Sequence, residues 1–478
     1  MAASRDRLSL PEAARRWPEA PALVLAPEGS VWSFGALAEA LGPVCGWLAG
    51  SVGPVALVAD NTLEAALVLH ALVALGTPVV PLHPRLTPPE RDALVRDSGA
   101  TLVLTAEALA ARPWEGHGPR WSASSGPLPG APLGVLYTSG TSGRPKGAVL
   151  SRRAFVASAR ASGKNLGWAR GDRWVLCLPL CHVGGLSVLT RCLLAGRAVV
   201  LHPRFDADAV LASLREGGTL LSVVPTMLRA LLGADHAGDL RRARAILVGG
   251  ASCPEALLRE CSARGVRALA TYGLTEACSQ VTCEDPSEAL LPGARRSSGR
   301  PLPGVSLRVL GEDGQEAPRG VVGALEVRGP TLFSGYLHQA PRGDGWFSTG
   351  DLGALDARGR LTVYARRTDL VVTGGENVYP LEVEAALEGL EGVREALVFG
   401  IPDEVYGQRV ACALVLDGGE PDAVAEAGLW ARLEARLARH KRPRSVLFVD
   451  ALPRLPSGKP DRAGAAEALG PRCAPWRR

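Results

Sequence analysis

Between Tyr137 and Leu150 the chain reads YTSGTSGRPKGAVL, a run of Ser, Thr and Gly that carries a lysine near its end. It follows an apolar run, PLGVLY, and leads on toward a helix-like segment, the setting of a loop that holds an anion. Hydroxyls at Thr138, Ser139, Thr141 and Ser142, with backbone N–H groups freed by Gly140 and Gly143, suit phosphate oxygens. The common phosphate loop, G-x-x-x-x-G-K-[ST], is a different object, because here Pro145 precedes Lys146 and Gly147 follows it. Taken alone, the composition also suits a flexible Ser/Gly linker.

On both sides of this loop, short β-branched runs (PVALVAD, TLVLT, RWVLCLPL, RAVVLHP, LLSVVP, RAILVGG) alternate with Ala/Leu/Arg-rich helical stretches such as TLEAALVLHALVALG and PEALLRECSARG. That alternation predicts βαβ units and largely parallel sheets with helical cover. From about Leu302 strands separated by Asp-Gly and Arg-Gly turns predict an antiparallel or barrel-like part. A second change of texture near Arg366–Asp369 predicts a small α+β domain of about 110 residues beyond it. The expected class is α/β, with residues 1–366 as a large N-terminal domain of two βαβ-type sheets plus the barrel-like part, and residues 367–478 as the C-terminal domain.

The 478 residues and 47% hydrophobic content suffice for packed cores. Fifty-three basic against 48 acidic residues, spread along the chain, lack the concentrated stripe that nucleic acid requires. Ten cysteines stand without CxxC pairs or histidines at ligand spacing, which suggests neither a zinc site nor a disulfide framework and implies reduced thiols in a cytoplasm. The first 17 residues carry no signal-peptide core, and apolar runs elsewhere are broken well before about 18 residues, so neither secretion nor a membrane span is expected. Assembly into a homo-oligomer stays open.

YTSGTSGRPKG resembles the phosphate loop of the adenylate-forming superfamily, which comprises acyl- and aryl-CoA synthetases, luciferases and adenylation domains. The resemblance continues in order through LGTPVVPLHPRL upstream, then LPLCHVGGLS, VGGASCP, TYGLTE, GALEVRGPTLFSGY, STGDLG, RRTDLVVTGGENVYPLEVE and PRLPSGKPDR. It implies ATP, Mg2+ and CoA as small-molecule partners of a carboxylic acid, and a mobile C-terminal domain. Thr138 to Gly143 and Lys146 would hold the triphosphate, and Glu276 the magnesium. Gly249, Gly250, Ala251, Thr271, Tyr272, Gly273 and Thr275 would line the nucleotide, with Tyr272 stacked on adenine. Asp351 and Arg366 would hold the ribose. Lys459, in PSGKP, matches the lysine that bridges the carboxylate and the α-phosphate, for which a compact ammonium is suited. After it has acted, the C-terminal domain would turn about a hinge and bring Gly374, Gly375, Glu376 and Asn377 toward the acyl-adenylate for CoA. The hinge position is Thr368, where the family usually has Asp or Lys, and Ala324 stands where it usually has an acid.

The segment LPLCHVGGLSVLTRCLLAG bears on the acid that is activated. Arg191 is the single charge in a helix otherwise fit for burial, and a buried arginine wants an anion. That anion is either a structural Asp or Glu or a second carboxylate on the substrate. The segment, the short chain and TYGLTEACSQ resemble most the o-succinylbenzoate–CoA ligases of menaquinone biosynthesis, whose substrate is an aromatic dicarboxylate. Carried over with it are pocket candidates His182, also a candidate catalytic residue with Thr138, Glu276 and Lys459, and Gly185, Ser187, Thr226, Ser279 and Gln280. Other aryl- or medium-chain ligases, carrier-loading adenylation enzymes and a nucleotide-binding regulator without catalysis are the competing readings.

Overall fold

The computed structural model describes residues 8–58, 60–116, 127–138, 145–251, 253–291, 297–366, 369–373, 376–455 and 458–476. Four sheets organise them. In the first, five consecutive pairings are parallel, running through Ala268–Leu274, Ala245–Val248, Leu220–Val223, Arg173–Leu176, Ala198–Leu201 and Pro21–Leu25. Antiparallel strands extend it at both ends: Ser279–Cys283 and Arg300–Pro301 at one, Ser30–Ser33 at the other. The central strands are apolar and buried on both faces, as parallel sheets covered by helices require.

The second sheet has the order Gly335–Tyr336, Lys146–Ser151, Pro132–Thr138, Val79–Leu82, Val55–Val58, Leu102–Leu104. Its last four strands are parallel, but Pro132–Thr138 and Lys146–Ser151 pair antiparallel. The Ser/Thr/Gly stretch is therefore the connection of a hairpin, and GAVL belongs to the returning strand. The helix Arg152–Leu166 starts only after that strand. One large apolar cluster packs helices of both sheets together, including Leu67, Leu72, Phe155, Trp174, Leu186 and Leu189, and a second covers the opposite face of the first sheet.

In the part with Asp-Gly and Arg-Gly turns, four antiparallel strands follow one another: Ser306–Leu310, Gly323–Arg328, Phe347–Leu355 and Leu361–Arg366. The C-terminal sheet begins at Val371–Thr373 and is built on the long pair Val393–Asp403 and Gly407–Leu416, with its own apolar clusters. No helix among the described residues is long and apolar enough to cross a membrane.

One buried side chain ties the two large sheets together where the pocket opens. Asn61 follows the strand Val55–Val58 of the second sheet, and its Nδ2 donates to Leu178 O and His202 O, both at 3.0 Å. Its Oδ1 accepts the Leu180 N–H at 3.1 Å. Both acceptors and the donor lie just after strands of the first sheet. Asn61→Leu removes all three bonds and leaves buried backbone groups unpaired, a cost of roughly 2–4 kcal/mol. The apparent melting temperature is expected to fall by several degrees; an unchanged value in thermal unfolding would show that the loop holds itself.

Candidate active site

Thr138 and Lys146 are directly opposed in register at the mouth of the hairpin, so their side chains stand on one face of the sheet. Lys146 Nζ lies 5.5 Å from the centroid of the Tyr336 ring, and the Tyr336 hydroxyl donates to Glu276 Oε1 at 2.7 Å. Cation, phenol and carboxylate thus converge from three segments. Glu276 sits in the single turn Thr275–Ala277, where its carbonyl accepts the Phe333 N–H at 2.7 Å. With one carboxylate oxygen held by the phenol, the other keeps the acceptor capacity that a hard divalent ion uses, so these residues fit magnesium.

At the nucleotide end the Tyr272 hydroxyl donates to Asp351 Oδ2 at 2.6 Å and fixes that carboxylate, which is 9% exposed. Asp351 is paired in register with Arg366 on the next strand. Thr271 Oγ1 donates to Thr282 O at 2.6 Å and accepts from Gln280 Nε2 at 3.1 Å. Gly249, Gly250 and Ala251 follow the buried strand Ala245–Val248. Gly273 lies where the strands Ala268–Leu274 and Ser279–Cys283 press together, and a Cβ there would meet Ser279 O at 1.8 Å. Only glycine fits that approach.

The candidate acyl residues gather on the helix Val183–Ala195, for which His182 is the N-terminal cap. Gly185 lets the first turn of this helix pack on the preceding bend, since a Cβ there would lie 2.3 Å from Pro179 O. Arg191, 3% exposed, lies about 13.5 Å along the axis from His182 at 1.5 Å per residue, and long helical side chains lean back toward the N-terminus. Its Nη2 donates to Ser279 Oγ at 3.2 Å and its guanidinium lies 5.4 Å from the Trp174 ring centroid. Cys278 and Ser279 both hold positive φ, 52° and 92°, and Ser158 Oγ donates to Cys278 O at 2.6 Å. This bend, which costs backbone strain, is what gives Ser279 to the arginine.

No carboxylate pairs with Arg191 among the described residues; burial alone pulls its pKa down to about 10, so it stays charged. Eight buried polar side-chain atoms there have no hydrogen-bond partner, and four of them are His182 Nε2, Ser187 Oγ, Arg191 Nε and Gln280 Oε1. Buried polar groups are rarely left unpaired, and these four belong to the helix Val183–Ala195 with its cap and to the neighbouring strand Ser279–Cys283, a run of unmet polar atoms that suits a polar ligand. Thr226 stands in the first turn of the half-buried helix start at Pro225.

The pKa of His182 is lowered to about 4, first by burial and then by the charges of His83, Lys459 and Arg85. The imidazole is neutral near pH 7, and Lys459 is near enough to act on it. Lys459 is exposed in a tight turn in which the Leu455 N–H donates to Lys459 O and the Gly458 N–H to Leu455 O, both at 2.8 Å. Glu376 and Asn377 are exposed on the strand Glu376–Val378. Ser139, Gly140, Thr141, Ser142, Gly143, Thr368, Gly374 and Gly375 lie outside the described residues, as does the side chain of Arg366.

Sequence reasoning passed over four residues that shape the site: Asn61, His83, Trp174 and Tyr336. Tyr336 ends the motif GALEVRGPTLFSGY, Trp174 is the second residue of RWVLCLPL and His83 lies in LGTPVVPLHPRL, so all three were in view. Nothing near Asn61 in the sequence announces bonds to residues more than a hundred positions away.

The model of the AMP-binding enzyme family matches residues 10–337, and that of the AMP-binding enzyme C-terminal domain matches residues 382–459. A 2-succinylbenzoate–CoA ligase of Bacillus licheniformis is 37% identical over 84% of this chain and 87% of its own length. An indoleacetate–CoA ligase of Aromatoleum aromaticum is 36% identical over 85% and 86%. The o-succinylbenzoate–CoA synthetase of Bacillus subtilis, solved with its acyl-adenylate intermediate, superposes with a TM-score of 0.83 at 33% identity, over 95% of this chain and 96% of that one. The same protein solved with ATP and a magnesium ion gives a TM-score of 0.85 at 32% identity, over 95% and 98%.

The neutral state of His182 and of His70, whose pKa burial also lowers to about 4, has a consequence for stability. Both folded pKa values lie below the unfolded value near 6.5, so between pH 6.5 and about 4 the unfolded chain binds protons that the folded chain does not. The stabilisation is complete above pH 6.5 and is lost as pH falls toward 4. His182→Gln and His70→Gln are each expected to flatten the decline of apparent melting temperature across that window; slopes equal to the parent's would show that these imidazoles titrate normally.

Proposed function

The chain belongs to the AMP-binding enzyme family, and we propose that it is an AMP-forming carboxylate–CoA ligase that converts o-succinylbenzoate to its CoA thioester in menaquinone biosynthesis, acting in the cytoplasm. The observation that carries the choice of acid is Arg191, a buried cation with no carboxylate partner among the described residues, on a helix whose cap, Ser187 and neighbouring Gln280 hold three further unpaired polar atoms. An aromatic carboxylate would give that charge its counterion. A fatty acid would leave it unpaired.

In this reading a carboxylate oxygen of the substrate attacks the α-phosphorus of ATP and pyrophosphate leaves. The thiol of CoA then attacks the acyl carbonyl and AMP leaves. Thr138, Lys146 and residues 139–143 hold the triphosphate, and Lys459 brings its charge to the carboxylate and the α-phosphate from the His182 side. Magnesium bound at Glu276 would supply Lewis-acid stabilisation of the phosphates. Tyr336 orients Glu276 for that task, and Tyr272 orients Asp351 for the ribose. Neutral His182 shapes the carboxylate end without adding a third positive charge beside Lys459 and Arg85. Residues 1–366 would form the fixed half of the enzyme and residues 367–478 the half that turns between the two steps. In the second step the Gly374–Asn377 segment faces CoA.

The indoleacetate–CoA ligase relative supports a second reading, an aryl monocarboxylate ligase, in which Ser279 and Trp174 alone would satisfy Arg191. A panel of carboxylic acids with ATP, Mg2+ and CoA, read by mass spectrometry of the thioester, separates the two. A product from o-succinylbenzoate is expected, and turnover of monocarboxylates alone would overturn the reading.

Lys459→Ala is expected to abolish adenylation, measured by pyrophosphate exchange, while thioester formation from a supplied acyl-adenylate survives. Equal loss in both half-reactions would give the lysine a different role. Arg191→Leu is expected to raise the Michaelis constant for o-succinylbenzoate, with a binding cost on the order of 2–5 kcal/mol for leaving a desolvated anion unpaired. A monocarboxylate analogue without the ring carboxyl should be handled no worse than by the parent. Equal damage to both acids, together with a lower melting temperature, would make the arginine a structural residue.

A further inference from the structure

Histidines and cysteine in the sequence stand at no ligand spacing, but the fold brings three of them together. His83 follows the strand Val79–Leu82 of the second sheet, while Cys181 and His182 cap the pocket helix beside the first. Each offers one ligand atom, and these atoms lie within 4.8 Å of one another. The two imidazole rings are 5.6 Å apart at an angle of 46°. His182 Nε2 is buried without a partner, and the only bond to a His83 ring nitrogen among the described residues is a local one, from the Arg85 N–H to Nδ1 at 3.0 Å. The negative charge of Asp60 reaches Cys181 as well.

We propose that His83, Cys181 and His182 form a binding site for a borderline-soft divalent ion, with Zn2+ as its probe, and that an ion bound there blocks activation of the carboxylate. Two imidazoles and a thiolate are zinc ligands and poor magnesium ligands, so this site is chemically separate from Glu276. A tetrahedral ion with bonds of about 2.0–2.3 Å draws its donors to within roughly 3.3–3.8 Å of one another, which asks each side chain to move by about 1 Å. Cys181 gives its proton to solvent as the sulfur binds, His83 gives up the bond from the Arg85 N–H so that a ring lone pair meets the ion, both imidazoles bind neutral, and a solvent molecule completes the shell.

Lys459 and Arg85 are close enough to bear on His182, and their charges oppose a cation at the same place. Of the two, Lys459 belongs to the C-terminal part. The ion and the lysine therefore oppose each other at His182, so an ion held by His83, Cys181 and His182 would hinder the step that needs the lysine there. This last step rests on the ligase reading: adenylation needs Lys459 in the pocket and thioester formation does not.

Equilibrium dialysis of the full-length protein against Zn2+, with Mg2+ in excess, is expected to give one tightly bound ion per chain. Cys181→Ala and His83→Ala should each weaken it more than about tenfold, with inhibition measured against each variant's own exchange rate. Co2+ in place of Zn2+ should show a sulfur-to-metal charge-transfer band in the near ultraviolet that Cys181→Ala abolishes. If either alanine variant fails to fold, Cys181→Ser and His83→Asn serve instead. Zn2+ should inhibit pyrophosphate exchange at concentrations that rise at least about tenfold in both variants, and should spare thioester formation from supplied acyl-adenylate. Unchanged Zn2+ affinity in both variants, or a cobalt complex without the sulfur band, overturns the site. Binding as described in a protein without ligase activity keeps the site and removes the ligase reading instead.

Discussion

The amide of Asn61 is the constraint from which the pocket follows. Each large sheet folds on its own parallel strands, and apolar packing between them is nondirectional: it holds helices together but does not fix the bend that leads into His182. A single amide with two donor bonds and one acceptor bond does fix it, because it spans the end of one sheet and two strand ends of the other. From that bend follow the position of Gly185 against Pro179, the axis of the Val183–Ala195 helix and the direction of every side chain on its inner face. The closeness of His83 to His182 follows as well, since one belongs to each sheet.

Along that helix the energetic problem is Arg191. Removing a guanidinium from water costs several kcal/mol, and a hydroxyl at 3.2 Å with an indole face nearby recovers only part, about 1–2 kcal/mol for the ring in a desolvated setting. The surrounding thiols are held protonated by burial, Cys192, Cys278 and Cys283 among them, so they offer no charge. Among the described residues the chain therefore offers this buried cation no counterion of its own. Such a cost is tolerable where a ligand completes the pair, and the strained backbone at Cys278 and Ser279 is a second cost located at the same place.

The parallel core was legible because its strands are short, β-branched and bounded by turns, and the helices between them are long enough to show their pattern. Residue-by-residue resemblance pointed to Glu276, Tyr272, Asp351 and Lys459, and the fold supplies each with a partner or neighbour that makes chemical sense. The hairpin at the opening loop was not legible: GAVL has the same apolar texture whether it continues a strand or starts a helix, and only pairing with PLGVLYT decides. Asn61 was invisible for a different reason, and His83, though it lies in LGTPVVPLHPRL, gave no sign of the residues it meets. Their partners are set by how two sheets meet, a contact that no local pattern encodes.

Position in the C-terminal part is controlled in the same way, by one polar side chain that reaches across elements. Arg462 lies three residues beyond Lys459, and its guanidinium binds Glu384, the Val398 carbonyl and Asp369, the last at 3.3 Å. Glu384 is on the helix Pro380–Glu388 and Val398 is on the strand Val393–Asp403, which pairs along its length with Gly407–Leu416, so the lysine turn is locked to the rigid body of its own sheet. Asp369 sits next to the segment where the four-stranded sheet ends and the C-terminal sheet begins. If the C-terminal part turns there, as proposed, Lys459 would move as part of a solid piece, because the turn cannot lag behind without giving up an ion pair that is mostly buried. In the proposed reading lysine and hinge would act as one lever, and the contribution of Lys459 to the low pKa of His182, which comes after burial and His83, would be delivered or withdrawn by the whole domain.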